Sequence, residues 1–548
     1  EAQLGANGNF TIGTAGSGAI RFTNSNGEAL RITGAGNLTV TGSTANLFTS
    51  NSYNVLELRA DENNDGGNDD IIFKFTHDGT FRSEMRYDES SSTLEISTAD
   101  NRDDFSMNTD GKVTFAKDIA TAQDYPMVKP TLDCNFVLNK KLDPRIGFTR
   151  KGVASFYNEQ GILKIVGDNV PRFDHNPETR ESLGILIEEE RTNLQPHSEQ
   201  WSPNQSDGWI NVASGVDVDY DPEVVTPTGE TTGAITFMEA GASGQHYIAP
   251  DTFPATSGTA YTFSFFFKNI SGNDANNLKF ISSTSAFSYV IRTFYFSGSD
   301  IGTTNSPSDS TITKLPNGWW RGTVTLTANN TTNSSCHFDM ARGLGSGAAY
   351  NNKIALWGYQ VEAGAFPTSY IRTGNSDYGR TATRGVDFLQ IQGQAFTDLY
   401  NPVESTILCS YQHTKTQTGS SIGGGRVYRF GTGSTSSDTR IDFVSTNTFH
   451  PYIARDGSQV ASLTATAPSV TDVNTYATRV KQDDFATTKA GGSIAYDTSG
   501  DWDPSNKMTE VQIGGTLLDT GGTIQAHYKR FTYYPVGLPN SQLITISS

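Results

Sequence analysis

PRFDHNPETRESLGILIEEERTNL, residues 171–194, is the most charged and most helix-tolerant stretch of a chain otherwise rich in Gly, Ser and Thr. Its Glu188-Glu189-Glu190 run is the first place to look for carboxylate chemistry. Glycoside hydrolysis needs two carboxyl groups held about 5 to 9.5 Å apart across a sugar. Consecutive residues do not supply that arrangement. Along a strand they alternate faces, and around a helix neighbours diverge by about 100°. Just upstream, Leu183, Ile185 and Ile187 alternate with Gly184, Leu186 and Glu188, which is the period of a short strand. We read it as a strand that pairs with another subunit, with Glu190 and Arg191 forming an ion pair at a structural joint. The stretch is therefore sheet and joint, not active site.

Composition extends the same reading. At 548 residues the chain exceeds one ordinary core, so three or four domains are expected. Thirty-one Phe and 22 Tyr are enough to fill thin sandwich cores, and 54 Gly allow frequent turns. Abundant Thr, Ser, Gly and Asn favour an all-β protein. The formal charge of -18 disfavours binding to nucleic acid or to anionic lipid. Cys134, Cys336 and Cys409 lie far apart, with neither metal-ligand spacing nor an even count for disulfides. They read as buried thiols of a protein folded in a reducing cytoplasm. No apolar run approaches the roughly 18 residues of a membrane span. The chain starts at Glu1 without Met, and an N-terminal portion carrying an anchor is expected beyond it.

Along the chain, residues 1–50 form short alternating units such as GNFTIGT, GAIRFTN, EALRITG and GNLTVTG. Each is too short and polar to bury a core alone, so it needs stacked or wrapped copies. Residues 51–120 repeat the theme with longer hairpins, and together the two segments read as a fibre-like β shaft whose core homotrimerisation supplies. Residues 121–195 hold Pro126, Pro130, Pro144, Pro171 and Pro177, which break ladders and helices. They read as an extended connector with short hairpins, one turning at Asn158-Glu159-Gln160-Gly161. Residues 196–385 and 386–548 each show strand signals at regular spacing, divided by Asn/Gly/Ser/Pro loops. Two tandem β-sandwich domains of jelly-roll type are expected.

Candidate sites are few. DENNDGGNDD, residues 61–70, places Asp61, Asn63 and Asp65 as in the first half of a calcium loop. The twelfth position is Ile72, so the bidentate Glu is missing and a solvated hairpin tip competes with a calcium site. The eight His are scattered without metal spacing, and His175 reads as a turn hydrogen-bond partner. Sugars stack their apolar faces on Trp and Tyr. Of the six Trp, Trp357 reads as core, and adjacent Trp319 and Trp320 as one core and one semi-exposed. Trp502, flanked by Asp501 and Asp503 in SGDWDPSN, has the best claim to a ligand-facing loop, with Trp320 second.

The strings LDCNFVLNKKLDPRIGFTR and PRFDHNPETRESLGILIEEERTNL resemble a module of bacteriophage tail-fibre and related virion proteins. AYTFSFFFKN, NGWWRGTVTLT and WGYQVEAGAFPTSYIRT resemble its carbohydrate-binding-module-like sandwich, at 196–385. The last third, 386–548, looks like a concanavalin A-like (laminin-G-type) lectin domain. Connectors of this kind often carry Gly where Arg180 stands, which puts the turn after Pro177-Glu178-Thr179 in question. The resemblance implies a homotrimer on the virion surface, synthesised in the host cytoplasm. It would attach to other virion proteins through the N-terminal region and bind host-surface glycans. It implies no enzyme chemistry, no required cofactor beyond an optional calcium, no nucleic acid and no membrane insertion. Two rivals remain: a capsid-attached head fibre or decoration protein, and a polysaccharide depolymerase.

Overall fold

The structure is a computed structural model. It describes residues 2–4, 10–12, 20–24, 27–32, 38–40, 71–77, 80–88, 92–98, 105–111, 113–114 and 125–548, the last without 200–209, 213–215, 222, 232–233, 240–246, 271–276, 298–299, 305–307, 341–352, 375–380, 415–424, 433–439, 446–449, 470, 503–507 and 516–523. Antiparallel strands are the dominant regular structure among the described residues, with short helices at Phe136–Asn139, Gln394–Thr397 and Asn540–Ser547. The chain is all-β, and it divides into two compact units, Glu1–Ile119 and Ala120–Ser548.

The first unit holds small antiparallel sheets, of which the five-stranded meander from Ile71–His77 to Val113–Thr114 is the largest. Register places Phe73 opposite Met85 and Met85 opposite Ile96. It likewise places Tyr87 opposite Leu94, Leu94 opposite Met107, and Met107 opposite Val113. Directly opposed residues share a face, so these side chains form one apolar surface. Phe73, Met85, Tyr87, Met107 and Val113 on it are each about two-fifths exposed, at 39–45%. The other face is polar, with Arg86 Nε donating to Glu95 at 3.0 Å, and there Glu95 and Ser97 are buried.

The second unit holds two sandwiches. In the first, one six-stranded sheet runs from Ile210–Val212 to Asp300–Thr304 and the other from Val216–Tyr220 to Ser310–Lys314. Strand Ala260–Asn269 shows how sequence dictates the packing. Tyr261, Phe263, Phe265 and Phe267 point into the inter-sheet core, where Phe265 meets Phe338 at 4.8 Å. Phe266 points the other way, into a second cluster with Trp319, Trp357 and Tyr370. Period-2 alternation thus lets one strand serve two cores.

The last sandwich draws on the segment expected as a connector. Leu132–Asn135 and Ser182–Ile187 both pair with Ala526–Tyr534, and Phe173–His175 pairs with Ser182–Ile187. Gly147–Thr149 joins the opposite sheet beside Phe388–Gln392. Ile185 and Ile187 are buried in the same core as Phe430, Phe531 and Trp502. The alternation read at 183–187 is therefore a strand, and its partner is the C-terminal strand of the same chain. An apolar alternating segment completes whichever sheet buries it best, and here that sheet is local. The hairpin Ala154–Tyr157/Leu163–Val166 turns where expected, with Asn158 Oδ1 accepting from Gln160 N and Gly161 at φ +75. Arg180, whose turn the sequence put in question, sits at φ +64. It takes up the left-handed turn that Gly would make freely, closed by Arg180 N donating to Asn176 O at 2.8 Å.

Candidate functional site

Of the residues proposed from sequence, the structure describes Asp501, Trp502 and Trp320, and it places the two Trp in different cores. Trp502 is 1% exposed in the last sandwich's core, and its Nε1 donates to Pro402 O at 3.0 Å. The ligand-facing role expected for it is corrected: a large indole whose N–H finds a carbonyl gains more by burial than by lining an open loop. Asp501 is exposed and pairs with Arg455 at 2.6 Å. Trp319 and Trp320 face opposite ways as expected, but both are buried, in different clusters. Trp320 is therefore not a semi-exposed platform; Lys314 Nζ covers its ring at 5.4 Å. Asp503 and the loop residues Asp61, Asn63 and Asp65 lie outside the described residues. Among the described residues, no group of three or more His, Cys, Asp or Glu is arranged to hold a metal ion.

The acidic run leads to a buried charge cluster. Glu188 accepts from Arg172 Nη1 at 2.7 Å, from Ser369 N at 2.8 Å and from Ser369 Oγ at 2.6 Å, and pairs with Arg384 at 3.1 Å. Asp387 pairs with Arg172, accepts from Glu188 N at 2.9 Å, and lies 3.4 Å from Arg150. Thr368 links this group to Glu362, whose carboxylate accepts from Thr368 N at 2.8 Å and from Gln360 Nε2 at 3.0 Å. Three guanidinium groups (150, 172 and 384) thus face three carboxylates (188, 362 and 387), all buried. Burial alone would raise the Glu188 carboxyl, but Arg384, Arg172 and the Ser369 bonds outweigh it and hold it well below the carboxylate range. Burial, with Arg172 alongside, brings Arg150 down to about 10. Glu189 pairs with Arg191 at 2.5 Å, where the sequence had suggested Glu190. Glu188 is thus buried and held by Arg172, Arg384 and Ser369, and it also borders the smaller of two nearby concavities.

Two concavities lie near this cluster. The smaller, about 180 Å³, is lined by Ser155, Tyr157, Asp174, Arg321, Thr368 and His527 among others. His527 Nε2 meets Asp174 at 2.8 Å, and His175 Nδ1 lies 3.1 Å from Tyr157 O. Ser155 Oγ donates to Tyr370 O at 2.7 Å and Ser369 Oγ to Glu188, so both nearby serine hydroxyls donate elsewhere than to this His–Asp pair. Burial pushes the Tyr157 hydroxyl up to about 12.

The larger is a cleft of about 330 Å³ between strand Leu163–Val166 and the turn at 226–230. Leu163 N donates to Pro227 O at 3.1 Å, which ties its two walls together. Val153, Leu163, Ile165 and Val166 supply its apolar lining, and Lys164, Thr228, Glu230 and Arg372 its polar lining. Arg372 Nε donates to Glu199 at 2.7 Å, and Tyr370 OH donates to the same carboxylate at 2.9 Å. Burial raises the Glu199 carboxyl despite those partners. Arg372 Nη2 reaches Glu230 at 3.4 Å. Sequence reading missed this cleft, because its lining comes from three distant segments, around 164, 230 and 372. Arg384 and Asp387 were missed too; their local signal was two opposite charges on either side of Gly385-Val386, between strands Ala382–Arg384 and Phe388–Gln392.

No protein-family model matches the chain, and no curated protein does. Among solved structures, it is similar to the N-terminal CBM22-1–CBM22-2 tandem domain of Paenibacillus barcinonensis Xyn10C, at 7% identity over 63% of this chain and 98% of that one, TM-score 0.21. Domains LG4-5 of the mouse laminin α1 chain match at 9% identity over 51% and 85%, TM-score 0.18. Trypanosoma rangeli sialidase in complex with the inhibitor DANA matches at 8% identity over 88% and 69%, TM-score 0.22. Overlaps this loose carry no argument about fold or chemistry in this chain.

Proposed function

We propose that this chain is a bacteriophage fibre or spike protein, a homotrimer on the virion surface that attaches to host cells through surface glycans and performs no catalysis. Three copies per fibre and several fibres per virion make weak single sites sufficient, since linked binding events raise avidity by orders of magnitude. Attachment to the virion runs through other virion proteins, and calcium at the 61–65 loop is its one optional ion.

One observation carries the reading. The strings at 171–194 and 357–373, which resemble the phage module, interlock. Ser369 binds Glu188, Asn193 Nδ2 donates to Ile371 O at 2.8 Å, and Val361 N donates to Asn193 Oδ1 at 3.0 Å. Motifs that meet in space as one lock belong to one module. The same lock occupies the Glu188 carboxylate, which supports adhesion over hydrolysis. The exposed apolar face of the first unit's five-stranded sheet supports self-association, because an apolar sheet face has to be buried against something.

The test is to incubate the recombinant chain with arrayed glycans and with bacterial surface polysaccharide. Glycan retention without new reducing ends is the expected result. Sustained release of reducing ends identifies a depolymerase, and absence of any glycan binding leaves the structural, decoration-type role.

A further inference from the structure

We infer that the 330 Å³ cleft between Leu163–Val166 and the 226–230 turn is a subsite for a neutral sugar unit, bound through adjacent hydroxyls. The inference rests on the glycan-binding reading and names its place and ligand class.

Size comes first. The volume lies at the low end of the roughly 300–1,000 Å³ of small-molecule sites, enough for about one or two sugar units. Chemistry comes second. A pyranose offers an apolar C–H face and a rim of hydroxyls that both donate and accept. The cleft offers Val153, Leu163, Ile165 and Val166 for the former, and Lys164, Thr228, Glu230 and Arg372 for the latter. Arg372 and Glu230, 3.4 Å apart, set a cationic donor beside an anionic acceptor. That pairing matches neighbouring hydroxyls, one accepting from Arg372 while the other donates to Glu230.

Charge decides between neutral and acidic sugars. Arg372 is already paired with Glu199 behind it, at 2.7 Å, and Lys164 and Glu230 both line the same cleft. The four formal charges sum to zero, and the exposed Glu230 carboxylate repels a uronate or sialate carboxyl. Arg372 is also immobilised before any ligand arrives. Glu199 holds it, Tyr370 OH bonds Glu199, and Ser198 Oγ lies 2.6 Å from Tyr370 OH. Little side-chain freedom is then lost on binding.

The test measures binding of the full chain to an array of neutral and acidic glycans, followed by titration with the neutral hexoside that binds. Thr228→Val and Glu230→Gln each remove a polar partner on the exposed rim and are expected to weaken neutral-glycan binding about tenfold. Melting temperatures should fall only slightly, since Thr228 gives up one bond to Thr226 Oγ1 at 2.8 Å and Glu230 one long contact to Arg372 at 3.4 Å, and Asp501→Ala, on the Trp502 loop, should bind like the parent chain. Retention of glycan by both cleft variants at parental affinity overturns the subsite but leaves the attachment reading standing. Selective binding of acidic glycans overturns the ligand class. No binding to any glycan by the parent chain overturns both.

Discussion

Glu188 shows how much a single residue's role depends on what surrounds it. In sequence it is the first of three acidic neighbours; in the structure it is the buried anion between Arg172, Arg384 and Ser369. Removing one partner of such a cluster leaves charge buried without compensation, so Glu188→Gln should destabilise by about 3–5 kcal/mol in chemical unfolding. Its pH dependence follows from a folded carboxyl held below its ordinary value of 4.5. Such a group contributes stability that is present above that value and is lost as pH falls toward the folded one. The melting temperature of the parent chain should therefore decline on acidification below about pH 4.5, and Glu188→Gln should show a shallower decline from its lower start. That the run lacks the spacing of paired-carboxylate chemistry could be read from sequence alone. That it was a buried ion cluster could not, because Arg384 and Asp387 lie some two hundred residues away in sequence.

Strand Ser182–Ile187 carries the same lesson at the scale of an element. Its alternation of Leu183, Ile185 and Ile187 was legible because side-chain direction in a strand has period 2. Its partner was not legible, because the same pattern fits any sheet with an open edge and an apolar face. Close approach to Ala526–Tyr534 requires Gly184, at φ +95, where an added Cβ would lie 2.1 Å from Tyr528 O. Gly184→Ala should therefore cost at least about 2 kcal/mol through strain and displacement of the strand, read as a lower unfolding midpoint. Gly167→Ala, where a Cβ meets nothing within 4 Å, serves as the control and should be near neutral. Strand Ala260–Asn269 was legible as a strand from AYTFSFFFKN, but its cover on both faces was decided by packing, with Phe265 in one core and Phe266 in another.

At the scale of the molecule, the proposed trimer and the exposed apolar face of the first unit stand together. Met85→Asp, at the centre of the Phe73–Met85–Ile96 row, should shift light-scattering mass from three chains toward one while the second unit keeps its melting transition. A parent chain that is already monomeric defeats the trimer reading. The sequence by itself determined the all-β class, the tandem sandwich rhythm, the turn at 158–161 and the structural reading of the acidic run. Each of these follows from local periodicity, turn chemistry or spacing, which act over a few residues. Only the tertiary structure decided that the 121–195 segment is woven into the last sandwich, that Trp502 and Trp320 are buried, and that a cleft opens among residues 164, 228, 230 and 372. Those outcomes depend on which distant surfaces meet, and burial is a property of the meeting rather than of either surface alone.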